Sequence, residues 1–253
     1  MAAAVDLARI PLRDLEAVFF DAGNTLVGID VALVAEGLAA RGLAATVAEV
    51  ARAEAAARPA VSRRLEGGIS SEARDTFAFY LRRSIDHLAA ATADRAPADL
   101  DAIAADLAVE LKTRVSTRRL WSRVLPGVPA ALASLREAGL RLVVVSNSDG
   151  TIEQGLDEAG LLPLLDGVVD SAVVGVEKPD PRIFRIALER AGSRPGRTAH
   201  VGDLHAVDVL GARAAGVHGV LLDPHGDWSG FDAAKVADVA TLAEAILASR
   251  RGG

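Results

Sequence analysis

The chain has 253 residues and a net charge of −6, with acidic and basic side chains interspersed, a balance that argues against nucleic acid or an anionic membrane as partner. It has no cysteine, which excludes disulfides and thiolate zinc sites, and its longest apolar region, Leu161 to Val176, is broken by Pro163, Asp166 and Asp170 and is no membrane span. The segment Met1 to Ile10 contains Asp6 and lacks a basic stretch followed by an apolar run, so no secretory signal is expected and cytoplasmic is the expected localisation.

In chain order, Val18-Phe19-Phe20 predicts a strand that delivers the carboxylate of Asp21 into a Gly23-Asn24 turn. From 29 to 120 the apolar spacing has the helical period and carries no strand signal. Ala32 to Arg58 reads as an alanine-rich helix, punctuated by Pro59 and Gly67-Gly68. Ser70 or Ser71 is expected to cap the next helix, through Phe77, Tyr80, Leu81 and Leu88. Pro97 to Asp101 opens another, with Leu100, Ile103, Leu107 and Leu111 on one face. Trp121 is expected where this insert meets the rest of the chain.

From Pro126 the alternation of a parallel α/β fold begins. A helix over Pro129 to Ala138 stops at Gly139, and Leu140 to Val145 is a strand of the fully buried kind. A helix over Thr151 to Ala159 stops at Gly160, a short strand lies near Val168 to Val174, and Arg182 to Ala191 is helical. Ala199 to Val201 is a strand, Asp208 to Ala215 a helix, and Val217 to Leu222 a last strand before a looser tail in which His225, Asp227 and Trp228 read as a surface turn.

Strand ends and the loops after them supply Asp21, Ser146, Lys178, and Asp203 with Asp208. In a doubly wound sheet such loops converge on one crevice. Singly, each residue has an ordinary explanation, because a strand-end Asp often caps a helix and Ser146-Asn147 or Lys-Pro-Asp-Pro can be plain turns. Lysine occurs only at Lys112, Lys178 and Lys235. The ordered set, with Lys178 inside Val176-Glu177-Lys178-Pro179-Asp180-Pro181-Arg182-Ile183-Phe184 and the acids inside the stretch from Val201-Gly202-Asp203 through Asp208 to Arg213, resembles the haloacid dehalogenase (HAD) superfamily of hydrolases. The helical insert lies where that superfamily carries its C1 cap. The resemblance implies a Rossmann-like parallel-sheet α/β core, residues 1–28 and 121–253, with an inserted all-helical cap domain over 29–120.

Asp21 is the expected nucleophile and Lys178 the expected catalytic cation, neutralising charge on nucleophile and phosphoryl group. Ser146, Asn147 and Lys178 are expected to contact substrate. Several carboxylates in one crevice raise each other's pKa or require a cation, and Mg2+ accepts carboxylate and phosphate oxygens together. Its expected ligands are the Asp21 carboxylate, the Gly23 backbone oxygen and Asp203, with Asp208 in support. The expected activity is Mg2+-dependent hydrolysis of a small phosphorylated metabolite through an aspartyl-phosphate, by a monomer or homodimer.

One position departs from the resemblance. Phosphatases of this superfamily usually carry a second Asp two residues after the nucleophile, as proton carrier, and here that residue is Gly23. Asn24 cannot replace it, since an amide does not titrate near neutral pH. Three readings follow: a phosphatase with a good leaving group or a proton from elsewhere, His205 being a candidate; a 2-haloacid dehalogenase, with Asn147 and an arginine such as Arg52 holding halide; or a protein that binds Mg2+ and a phosphometabolite without turnover. Excess negative charge favours metal and the first reading. A phosphonatase-like Schiff base would need Lys112, which instead reads as a solvated helical lysine. Gly67-Gly68 resembles a substrate-reading cap loop.

Overall fold

A computed structural model describes residues 6–73, 75–91 and 99–251. Its strands are β1 (Ala17–Phe20), β2 (Val27–Gly28), β3 (Arg123–Val124), β4 (Arg141–Ser146), β5 (Gly167–Asp170), β6 (Thr198–Gly202), β7 (His218–Leu222) and β8 (Ala234–Val236). Six of them form one parallel sheet in the order β5-β4-β1-β6-β7-β8. The other two, β2 and β3, make a separate antiparallel ribbon in which Gly28 pairs with Arg123.

The composition of β1 follows from its central place, since a strand covered on both faces is apolar at every position. Val18 and Phe20 join Leu132, Leu135, Leu242 and Ile246 on one face. Ala17 and Phe19 point to the other, with Ile183, Phe184 and Ala187. Alternation along β4 divides Leu142 and Val144 from Val143 and Val145 in the same way. Chain order reverses direction across the sheet at β1, so the C-terminal ends of β4, β1 and β6 bracket the switch point where open α/β sheets bind ligands.

The chain divides into two compact units, Met1–Gly28 with Arg123–Gly253, and Ile29–Ser122. The second is helical among its described residues: α1 (Val31–Ala39), α2 (Val47–Leu65), α3 (Thr76–Ala91), α4 (Leu100–Arg114) and α5 (Thr117–Leu120). Its own apolar faces meet, α2 on α3 and α3 on α4, burying Val50, Val61, Leu81, Ile85 and Leu107. The sheet unit adds α6 (Val128–Glu137), α7 (Ile152–Glu158), α8 (Ser171–Val174), α9 (Pro181–Ala191), α10 (Leu210–Ala214) and α11 (Val239–Arg251).

Several expectations need correction. The helix expected over Ala32 to Arg58 is two helices, parted near Gly42, whose φ is +80°, and α2 restarts with a capping box between Thr46 and Glu49. Pro59 does not end α2 but lies buried inside it; the lost hydrogen bond is outweighed by packing of the inner face. Ser70 accepts from the Glu72 N–H, closing a turn ahead of α3. Asp99 caps α4 through the Ala102 N–H, and the expected opening at Pro97 lies outside the described residues.

The strand expected through Val174 ends at Asp170, whose carboxylate accepts the Ala172 N–H and turns the chain into α8. Beyond β7 the tail is not loose, because β8 adds an edge strand and α11 packs Val239, Leu242 and Ile246 on the sheet. Trp228 is 1% exposed, packed with Val209, Leu221 and Phe231, which replaces the surface-turn reading.

Candidate active site

Asp21 follows β1 directly, and its N–H donates to the Val201 carbonyl at 2.9 Å, extending the pairing of β1 with β6 by one residue. The loop then closes tightly, with the N–H groups of Leu26 and Val27 both donating to the Ala22 carbonyl at 2.9 and 3.0 Å. Asn24 adopts φ +51°, a left-handed conformation that asparagine tolerates better than most residues. Its N–H donates to the Val27 carbonyl at 2.7 Å, and its Nδ2 donates to Asp203 Oδ2 at 3.2 Å. Asn24 therefore steadies an acid of a neighbouring strand end.

At the end of β4, Ser146 is buried and its hydroxyl makes one long bond of 3.4 Å to the Asn147 carbonyl, a bond easily exchanged for a ligand oxygen. Asn147, expected to contact substrate, binds the backbone of Lys178. Its Oδ1 accepts the Lys178 N–H at 2.7 Å and its Nδ2 donates to the Lys178 carbonyl at 2.9 Å. One amide thus holds both backbone polar groups of the catalytic candidate.

The Lys178 side chain is 1% exposed, and its Nζ donates to Asp21 Oδ1 at 2.6 Å and to Asp208 Oδ1 at 2.7 Å. Asp208 lies in a π-helical turn, His205–Val209, that connects β6 to α10. Its Oδ1 also lies 3.1 Å from His200 Nε2, and its Oδ2 accepts the Leu204 N–H at 2.9 Å. Both oxygens are thereby engaged by protein, so Asp208 anchors Lys178. Gly202 is required by the same packing, because a Cβ there would fall 2.2 Å from Asp208 Cγ.

Charge is unevenly shared. The Asp21 carboxyl is raised to about 6, because burial pushes it up and Asp208 adds to that, while Lys178 pulls it back only in part. Burial works to lower the Lys178 pKa, but Asp208 and Asp21 outweigh it and hold the ammonium above its ordinary value. Burial also opposes ionisation of Asp208, yet Lys178 and His200 keep it well below the usual carboxylate range. Burial lowers the His200 pKa, so the imidazole is neutral.

Among the described residues no group of three or more His, Asp and Glu is gathered as a metal cluster. The donor chemistry nonetheless suits Mg2+, which takes one or two carboxylates together with a carbonyl, waters and phosphate. Asp21 and Asp203 would supply the carboxylates, and no hydrogen bond among the described residues occupies the Gly23 carbonyl. The raised Asp21 pKa comes first from burial, which a bound cation would offset, with Asp208 adding to it.

His205, the candidate replacement proton carrier, is held by contacts after β6. Its ring packs edge-on against Phe231 at 5.1 Å, and its Nε2 lies 3.3 Å from the Asp232 carbonyl. Lys112 sits 5.5 Å from the centre of the Phe77 ring, a cation–π contact within the helical unit. Arg52 is exposed on α2, and Gly68, with φ +81°, closes that helix. Sequence reasoning missed two residues, Asn24 as partner of Asp203 and His200 as partner of Asp208. The signal for His200 was a lone imidazole inside a strand otherwise built for burial, three residues before Asp203.

The model of the haloacid dehalogenase-like hydrolase family matches residues 15–216. The chain is 46% identical over 100 residues to haloacid dehalogenase-like hydrolase domain-containing protein 3 of Mus musculus, covering 40% of each. It is 36% identical over 134 residues to glyceraldehyde 3-phosphate phosphatase of Methanothermobacter thermautotrophicus, covering 49% of this chain and 59% of that one. The chain thus spans less than two thirds of the length of either relative. In fold it is similar to the crystal structure of an HAD phosphatase from Thermococcus onnurineus, with a TM-score of 0.56 and 24% identity over 94% of this chain and 100% of that one.

Proposed function

The chain belongs to the haloacid dehalogenase-like hydrolase family, and from that premise we propose that it hydrolyses a small phosphorylated metabolite through a phosphoryl group carried on Asp21. The observation that carries this reading is the buried contact of Lys178 with Asp21 and Asp208 beside a strand-end carboxylate. A carboxylate oxygen of Asp21 attacks phosphorus, the bond to the leaving oxygen breaks, and water then cleaves the acyl phosphate to give inorganic phosphate and free Asp21. Lys178 offsets the negative charge on nucleophile and phosphoryl oxygens, and the loosely engaged Ser146 hydroxyl donates to one of those oxygens. Bound Mg2+, held by Asp21, Asp203 and the Gly23 carbonyl, would supply charge neutralisation at the phosphoryl group.

Gly23 shapes the substrate choice. Without a titratable group there, the leaving oxygen departs unprotonated, so acyl, enol and aryl phosphates are better substrates than alkyl ones. The phosphatase named among the relatives supports phosphate chemistry over halide chemistry. The helical unit is proposed to select the substrate.

The test is a panel of alkyl, aryl and acyl phosphates together with 2-chloropropionate, each with Mg2+ or with chelator. Phosphate release that needs Mg2+ and favours good leaving groups is the expected result. Chloride release indifferent to chelator would replace this reading with the dehalogenase, and ligand binding by calorimetry without any turnover would replace it with the non-catalytic one.

A further inference from the structure

His200 is a buried titratable side chain that the proposed chemistry does not use. It lies on β6 with no exposed surface, edge-on to the Phe184 ring at 5.0 Å, and its Nδ1 has no hydrogen-bond partner among the described residues. An orphaned lone pair costs less there than an orphaned N–H, and the facing carboxylate oxygen can only accept. The proton therefore sits on Nε2, which donates to Asp208 Oδ1 at 3.1 Å.

That oxygen is the one Lys178 uses. Lys178 Nζ sits almost evenly between Asp208 Oδ1, at 2.7 Å, and Asp21 Oδ1, at 2.6 Å. An oxygen shared by two donors holds each less strongly than it would hold one. With the His200 bond absent, the full charge of Asp208 Oδ1 would fall on Lys178 and draw it away from Asp21. We propose that His200 is a positioning residue, which by occupying the second acceptor site of Asp208 Oδ1 keeps the Lys178 ammonium shared with Asp21. The proposal rests on the reading of Lys178 as the catalytic cation, and its geometric part stands independently of turnover.

The bland reading is a packing residue against Phe184, and two substitutions separate the two. His200→Leu keeps apolar volume and removes the N–H, whereas His200→Gln carries an amide N–H to a position similar to that of Nε2. With para-nitrophenyl phosphate as probe, His200→Leu is expected to lower kcat by about 10- to 100-fold with KM unchanged, as misplacement of a charged group does, and His200→Gln to recover most of the loss. A second readout needs no activity. The chain has three lysines, so 15N-lysine NMR, assigned through Lys112→Arg and Lys235→Arg, isolates the Lys178 ammonium; its signal should shift and exchange faster in His200→Leu and return in His200→Gln.

If His200→Leu matches the parent in kcat and in the Lys178 signal, or if His200→Gln fails to restore either, the proposal is wrong. Should His200→Leu not fold, His200→Asn, whose amide is too short to reach Asp208, replaces it. If the parent enzyme turns over no phosphate ester, the phosphatase reading fails and the NMR comparison still decides the role of His200.

Discussion

At the scale of the residue, Asp21 is an acid held where protonation would suit it better. A carboxyl raised from 3.8 to about 6 stabilises the fold fully below the ordinary carboxylate range and loses that contribution as pH rises through about 6. Above that pH the ionised, buried group costs on the order of 3 kcal/mol. Asp208 runs the other way: its depressed pKa gives stability that is present above the ordinary range and is lost only as pH falls through its own value. Asp21→Asn should therefore abolish turnover yet melt above the parent at pH 8 in chelator, with the gap closing toward pH 4; parallel melting-temperature curves would contradict this. Gly23→Asp restores a titratable group beside the nucleophile, and turnover of an alkyl phosphate should rise by about 10-fold or more, given what positioned acid–base groups contribute. An unchanged rate would mean that the absent acid does not limit the reaction.

At the scale of the element, the junction between β6 and α10 does most to build the site. The π-helical turn His205–Val209 brings Asp208 back over Gly202, and α10 then continues along the sheet. Single-turn π segments recur at functional sites because the extra residue re-aims a side chain. Gly202→Ala would push a methyl group into the Asp208 carboxylate, 2.2 Å from its Cγ. We expect a loss of about 1–3 kcal/mol in chemical denaturation and a matching fall in kcat, since Asp208 carries Lys178 with it. The stretch Asp223–Ala233 supports the same junction: Phe231 stacks edge-on with both His205 and Trp228. The legible elements were those with a long periodic or fully apolar signal, β1, β4 and α9. The misread ones were decided by capping and packing, as with Pro59 inside α2 and Asp170 at the end of β5.

At the scale of the molecule, two compact units share one chain, and the ends of the inserted unit meet where Gly28 pairs with Arg123. That pairing makes excision a practical test. Replacing Ile29–Ser122 by a short Gly-Ser linker should leave a sheet unit that unfolds in one cooperative transition and retains some turnover of an aryl phosphate while discriminating poorly among metabolites. An unfolded product would mean that the sheet unit depends on the insert for its stability. The sequence by itself determined the parallel α/β class, the helical insert and the family, because these follow from hydrophobic period and from side chains whose order along the chain is fixed by covalent bonds. Only tertiary structure decided that Asn147 holds the Lys178 backbone, that His205 packs against Phe231, and that His200 and Asn24 support the two acids after β6. Such contacts join residues as far as 179 positions apart, and their energies depend on ångström-scale direction and burial that no local pattern of residues encodes.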